Sequence, residues 1–124
     1  VKHEMILTHS ILVIFYQFYL RVYILYYNMS LYKKINIPYT NIFLIRWNPH
    51  ILTRIHNHNN KNCNFIVLRG ALEESIYKSL PTGYYMVDNK ILYPNQSSMI
   101  NDEIGEHSIK NLSDSYSWSL HYYK

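Results

Sequence analysis

His56 and His58 stand two apart in the run Arg54-Ile55-His56-Asn57-His58. On an extended strand, side chains at i and i+2 leave from one face, so both imidazoles can reach a single ion. Two histidines beside the polar turn Asn59-Asn60-Lys61-Asn62 also serve as plain surface groups, and the pair alone does not decide. Cys63, the one cysteine, follows that turn. Buried, it would be a small hydrophobe; as a ligand beside the histidines it would make a His–Cys site suited to zinc or copper. Ser119, His121 and Tyr123 alternate along a predicted strand and share a face. Tyr123 is one of 14 tyrosines and serves equally as a packing residue.

The elements that must position these groups read as short strands. Residues 41–47 are predicted as the first, closed by Asn48-Pro49, and residues 52–58 as the second. Residues 63–69 form the third, and Gly70-Ala71 is read as a tight hairpin into residues 72–77. Pro81-Thr82-Gly83 is read as the start of a loop. Residues 90–93 and 98–100 are short strands, His107 lies on another after the turn at Gly105, and residues 117–123 are the last. Many short strands at close spacing indicate a β-sandwich or barrel.

Residues 1–38 are apolar, rich in tyrosine and without a motif, so the organised domain is expected from Tyr39 onward. Residues 11–27 are the most apolar stretch. Gln17 and Arg21 interrupt it, it is short for a membrane span, and it lacks a small-residue cleavage pattern. It is expected to be a buried helix or strand leading into the barrel.

The chain has 124 residues, enough for one domain. Hydrophobic residues make up 48% and charged residues 16%, which argues against disorder. The β-branched and aromatic excess favours strands. The net charge of +4 comes from scattered lysines and arginines, without the basic stripe of a nucleic-acid reader. One cysteine excludes an internal disulfide and fits a reducing compartment. The chain starts at Val1 and ends at Lys124; it is expected to be processed or a fragment, incomplete at its C-terminus.

Two blocks carry a resemblance. The first runs from His56 and His58 through Cys63 to Gly70; the second is Gly105-Glu106-His107-Ser108-Ile109-Lys110-Asn111. They resemble the two motifs of the cupin superfamily, in which the first block supplies two histidines and the second one more. Cupins usually place a glutamate ligand near position 63, where this chain has Cys63. With Trp47, Gly70-Ala71-Leu72-Glu73-Glu74, residues 100–107 and Ser119-Leu120-His121-Tyr122-Tyr123, the text resembles cysteine dioxygenase from about Asn41 to Tyr123.

The resemblance implies a mainly β cupin barrel (a double-stranded β-helix, or jelly roll), with an N-terminal helical segment as a further expectation. It implies one iron(II) ion held by His56, His58 and His107, where most mononuclear iron oxygenases use two histidines and a carboxylate. A small thiol and O2 would occupy the open positions, and the product would be a sulfinic acid. It implies a Cys63–Tyr123 thioether bond, and catalytic roles for Tyr123, Cys63, His121 and Ser119, with His121 outside the ligand set. A monomeric, cytoplasmic enzyme of cysteine catabolism is expected, without nucleic-acid or membrane partners.

The chain departs from the family in several places. The substrate-carboxylate arginine belongs in a Tyr-x-Arg-Asn stretch, and the matching text, Tyr27-Asn28-Met29-Ser30, puts Met29 there. Tyr19-Leu20-Arg21 keeps the Tyr-x-Arg spacing, which makes Arg21 the substrate-binding candidate against a reading as a solvated helix flank. His50 replaces the glycine that opens the first block, and Asn57 replaces an aspartate. Without a carboxylate clamp, cysteamine competes as substrate, and a metal-binding cupin without catalysis is the other reading. His3 and His9 have no partner at useful spacing.

Overall fold

A computed structural model describes residues 10–21 and 31–124. The chain divides into two compact units, Val1–Ser30 and Leu31–Lys124. In the first, residues 10–21 are helical. Most of their apolar side chains are exposed, Phe15 and Phe18 to 66%, where a buried segment was expected. Residues 22–27 of that apolar stretch lie outside the described residues. No described helix is long and apolar enough to cross a membrane.

The second unit is built from eight strands: β1 (Tyr32–Asn36), β2 (Ile42–Trp47), β3 (Cys63–Arg69), β4 (Leu72–Leu80), β5 (Gly83–Leu92), β6 (Ser97–Ile100), β7 (Glu106–Asn111) and β8 (Ser117–Tyr123). They form two antiparallel sheets, ordered β1-β2-β8-β3-β6 and β5-β4-β7. The period of two sorts the side chains. Cys63, Phe65 and Val67 of β3 are buried while Asn64, Ile66 and Leu68 are not. Ile45, Trp47, Leu72, Ile76, Leu92, Ile100 and Ile109 complete the apolar core.

Several connections differ from the expectations above. Residues 52–58 are not a regular strand: this extended segment makes isolated bridges to β7, Leu52 with Lys110 and His56 with His107. Gly70-Ala71 is not a hairpin, because β3 and β4 belong to different sheets. Gly70 turns a corner between them at φ +87°, and a β-carbon there would fall 1.9 Å from Ser117 Oγ. Pro81-Thr82 is the tight turn of the β4–β5 hairpin, with Leu80 opposite Gly83. The short strand at residues 90–93 is the end of β5, which runs from Gly83. The larger sheet includes β1, which lies ahead of Tyr39.

Candidate metal centre

The asparagine-rich turn sets the angle at which the chain leaves the first two histidines. Asn59 and Asn60 take left-handed backbone angles of +51° and +65°, which asparagine tolerates better than most residues. The Asn60 amide donates to Asp102 Oδ2 at 2.9 Å. Upstream, Thr53 clasps β7: its amide donates to the Ile109 carbonyl and its hydroxyl accepts from the Ile109 amide, each at 2.9 Å. His56 and His107 then exchange both backbone hydrogen bonds at 3.0 Å. The extended segment thus carries His56 and His58 to His107 of β7.

The three rings converge. His107 Nε2 lies 2.9 Å from His58 Nε2 and 3.1 Å from His56 Nε2. Among the described residues these three form the group able to hold a metal ion, their ligand atoms all within 4.8 Å. Neither Cys63 nor His121 belongs to that group.

Their partners fix the tautomers. His56 Nδ1 meets the Arg54 carbonyl at 2.9 Å; a carbonyl only accepts, so the proton is on Nδ1. His107 Nδ1 meets the Glu74 carboxylate at 2.7 Å and likewise donates. In neutral rings both Nε2 atoms then carry bare lone pairs, facing each other at 3.1 Å. Such a pair repels unless a cation lies between, and two nitrogens bound at right angles at about 2.1 Å stand about 3 Å apart. The donor set therefore fits a metal. Burial and the neighbouring His107 and His56 hold the His58 pKa down to about 4, and burial lowers that of His56. Both stay neutral and ready to ligate at neutral pH.

A polar chain crosses the inner face of β8. Trp47 Nε1 donates to Ser119 Oγ at 2.8 Å, and Ser119 Oγ lies 2.7 Å from His121 Nε2. Ser119 Oγ accepts from Trp47 and keeps both a lone pair and a hydroxyl hydrogen, so it can pair with either tautomer of His121, whose other ring nitrogen is Nδ1. That nitrogen lies 3.8 Å from Cys63 Sγ. The Phe65 ring stacks on His121, centroids 4.9 Å apart. Burial pushes the His121 pKa down to about 3.

Cys63 stands opposite Tyr123 across the β3–β8 ladder, and the thiol and the phenol influence each other's ionisation. Burial pushes the thiol up to about 11 and the phenol well above its ordinary value. Lys34 of β1 approaches the Tyr123 hydroxyl, Nζ to Oη 3.4 Å, and its ammonium sits 4.5 Å from the Tyr123 ring centroid. The histidines, Tyr123, Lys34 and Arg54 line one pocket of about 300 Å3, whose apolar wall includes Ile45, Trp47 and Ile109.

The structure thus brings together His56, His58, His107, Cys63, Ser119, His121 and Tyr123. Arg21 is the last described helical residue of the first unit and is exposed. Met29, His3 and His9 lie outside the described residues. His50 pairs with Asp114 in an exposed turn. The sequence reading missed Lys34, Arg54, the Trp47 indole N–H and the role of Glu74. Arg54 was in plain view two residues before His56, but periodicity does not say which exposed cation borders a pocket.

Residues 28–124 match the sequence profile of cysteine dioxygenase type I. The chain belongs to the cysteine dioxygenase family. It is 30% identical over 88 residues to cysteine dioxygenase type 1 of Danio rerio, covering 67% of this chain and 44% of that protein. The Homo sapiens protein of the same name is 30% identical over 87 residues, with the same shares. This family member therefore spans less than half the length of those relatives.

Solved structures show the fold. An oxalate oxidase superposes with a TM-score of 0.55 at 17% identity, covering 66% of this chain and 40% of that one. Drosophila melanogaster CENP-C bound to CAL1 gives 0.59 at 12% identity, covering 75% and 76%. The fold is the cupin barrel, shared by proteins of very different roles, so chemistry must be argued from the site.

Proposed function

We propose that the chain is an iron(II)-dependent thiol dioxygenase that converts L-cysteine and O2 to cysteine sulfinate. The supporting observation is the pair of bare His56 and His107 nitrogens, 3.1 Å apart, with His58 beside them at the wall of the pocket. The reaction balances without an external reductant: the thiol loses four electrons, and both atoms of O2 end on sulfur. A ferrous ion at the three imidazoles would supply a Lewis acid for the thiol and the electrons through which O2 reacts.

The chain's own groups do the rest. Lys34 and Arg54 take the substrate carboxylate, Arg54 through its two-pronged guanidinium. The Tyr123 phenol, kept protonated by burial, offers a hydrogen bond to substrate or oxygen. Trp47, Ser119 and His121 hold the inner wall of β8 in register, and Ile45 and Ile109 keep water off the site. Cys63 and Tyr123 join through a thioether: the thiol and ring hydrogens leave as two protons, and two electrons pass to O2. A small thiol and O2 are the partners, in a cytoplasmic monomer.

The test is anaerobic iron loading followed by oxygen uptake with cysteine, an amine-free mercapto-acid and cysteamine. The acids should be consumed with one sulfinate formed per O2, and cysteamine slowly. Arg54→Ala and Lys34→Met should raise KM for the acids alone, with Arg21→Ala run in parallel. Iron loading without thiol-dependent oxygen uptake would leave a metal-binding cupin without catalysis.

A further inference from the structure

A site of three neutral imidazoles leaves a divalent ion with its whole charge. A buried carboxylate stands directly behind one of them. Glu74 of β4 is 0% exposed. Its Oε2 lies 2.7 Å from His107 Nδ1, its Oε1 accepts from Ser98 Oγ at 2.6 Å, and Lys90 Nζ approaches Oε1 at 3.4 Å. All three partners donate or carry positive charge. The His107 Nδ1–H and the Lys90 ammonium both favour the ionised form of Glu74, and the Ser98 hydroxyl is free to donate to it. The arrangement is that of a carboxylate.

A metal-ligating histidine that gives its other N–H to a carboxylate becomes a more basic ligand with a fixed ring orientation. The Ser98 bond also spans the two sheets, since Ser98 lies on β6 and Glu74 on β4. We infer that Glu74 is the anionic partner of the metal centre: acting through His107, it supplies at second remove the negative charge that the three imidazoles lack, and Lys90 tempers it. Glu74 is a positioning residue, since it touches no substrate. The inference rests on His56, His58 and His107 holding a metal, and it sets how tightly and in which oxidation state they do so.

The experiment uses the full chain, with Co(II) affinity by anaerobic titration and the Fe(III)/Fe(II) potential by spectroelectrochemistry. Thermal unfolding of each metal-free variant checks the fold. Glu74→Gln keeps the shape and removes the charge; it should weaken Co(II) binding by about 10- to 100-fold and raise the potential. Ser98→Ala removes one bond and keeps the charge, and should leave both readouts near those of the parent. Lys90→Met removes the partly exposed opposing cation and should lower the potential, opposite in sign to Glu74→Gln.

This opposition of sign is not expected of a purely structural residue, and a lowered potential in Lys90→Met supports the inference by itself even if Glu74→Gln does not fold. Unchanged potential in Lys90→Met, or equal losses of affinity in Ser98→Ala and Glu74→Gln, would overturn the inference while leaving the metal site standing. A parent chain that binds neither Co(II) nor iron would overturn both.

Discussion

His121 offers the sharpest test of the electrostatics. Its ring is 3% exposed, engaged by Ser119 at 2.7 Å and stacked on Phe65. Burial lowers its pKa from an ordinary 6.5 to about 3. The folded state thus favours the neutral ring, while the unfolded chain takes up a proton as soon as the pH passes below the ordinary value. The stability this gives is fully present above pH 6.5 and is lost as the pH falls toward the folded-state pKa. Between about pH 8 and pH 5 the unfolded chain gains the proton over roughly 1.5 pH units, at about 1.4 kcal/mol each, so the loss is about 2 kcal/mol. Carboxylates contribute little in that window, being ionised in both states. Urea unfolding of the metal-free protein at the two pH values measures it, and His121→Gln, which keeps a hydrogen-bonding group and cannot titrate, isolates the share of this ring. The variant should start less stable and lose about 2 kcal/mol less on acidification. If parent and variant show the same pH dependence, the buried neutral histidine is not what the acid attacks.

Gly105→Ala should destabilise the fold and loosen metal binding together: Gly105 sits at φ +146°, a β-carbon there would meet the Tyr77 carbonyl oxygen at 2.5 Å, and strain of about 1–3 kcal/mol is expected two residues from His107. Metal titration and thermal melting of the variant check this. Trp47→Phe deletes the donor to Ser119 and should cost about 1–3 kcal/mol, seen as a lower urea midpoint with an unchanged slope. Aerobic incubation of the iron-loaded chain with cysteine should lower the intact mass by two hydrogens as the thioether forms, and Cys63→Ala should abolish that shift.

Much of the barrel was legible in the chain because a strand's period of two is local. The bounds of β3 and β8 follow from alternation between polar turns, and the same rule places Ser119, His121 and Tyr123 on one face. His56 and His58 share a face in the structure even though residues 52–58 form no continuous strand, since any extended backbone alternates. The connections were less legible. Gly70 reads equally well as a hairpin and as a corner between sheets, and which it is depends on where Ser117 lies, 47 positions later in numbering. Pro81-Thr82 looked like an open loop because the strands on either side run on into residues that are exposed on both faces.

The site divides along the same line. By itself the sequence determined which residues are of ligating type, that His56 and His58 can act together, and, through its family motifs, that His107 is their partner. Only the tertiary structure decided that Glu74 backs His107, that Ser98 ties Glu74 to the opposite sheet, and that Lys34 and Arg54 border the pocket. The physical reason is that alternation chooses a face, whereas distances of 2.6–3.1 Å between residues 24 to 51 apart depend on strand register and on how the two sheets stack.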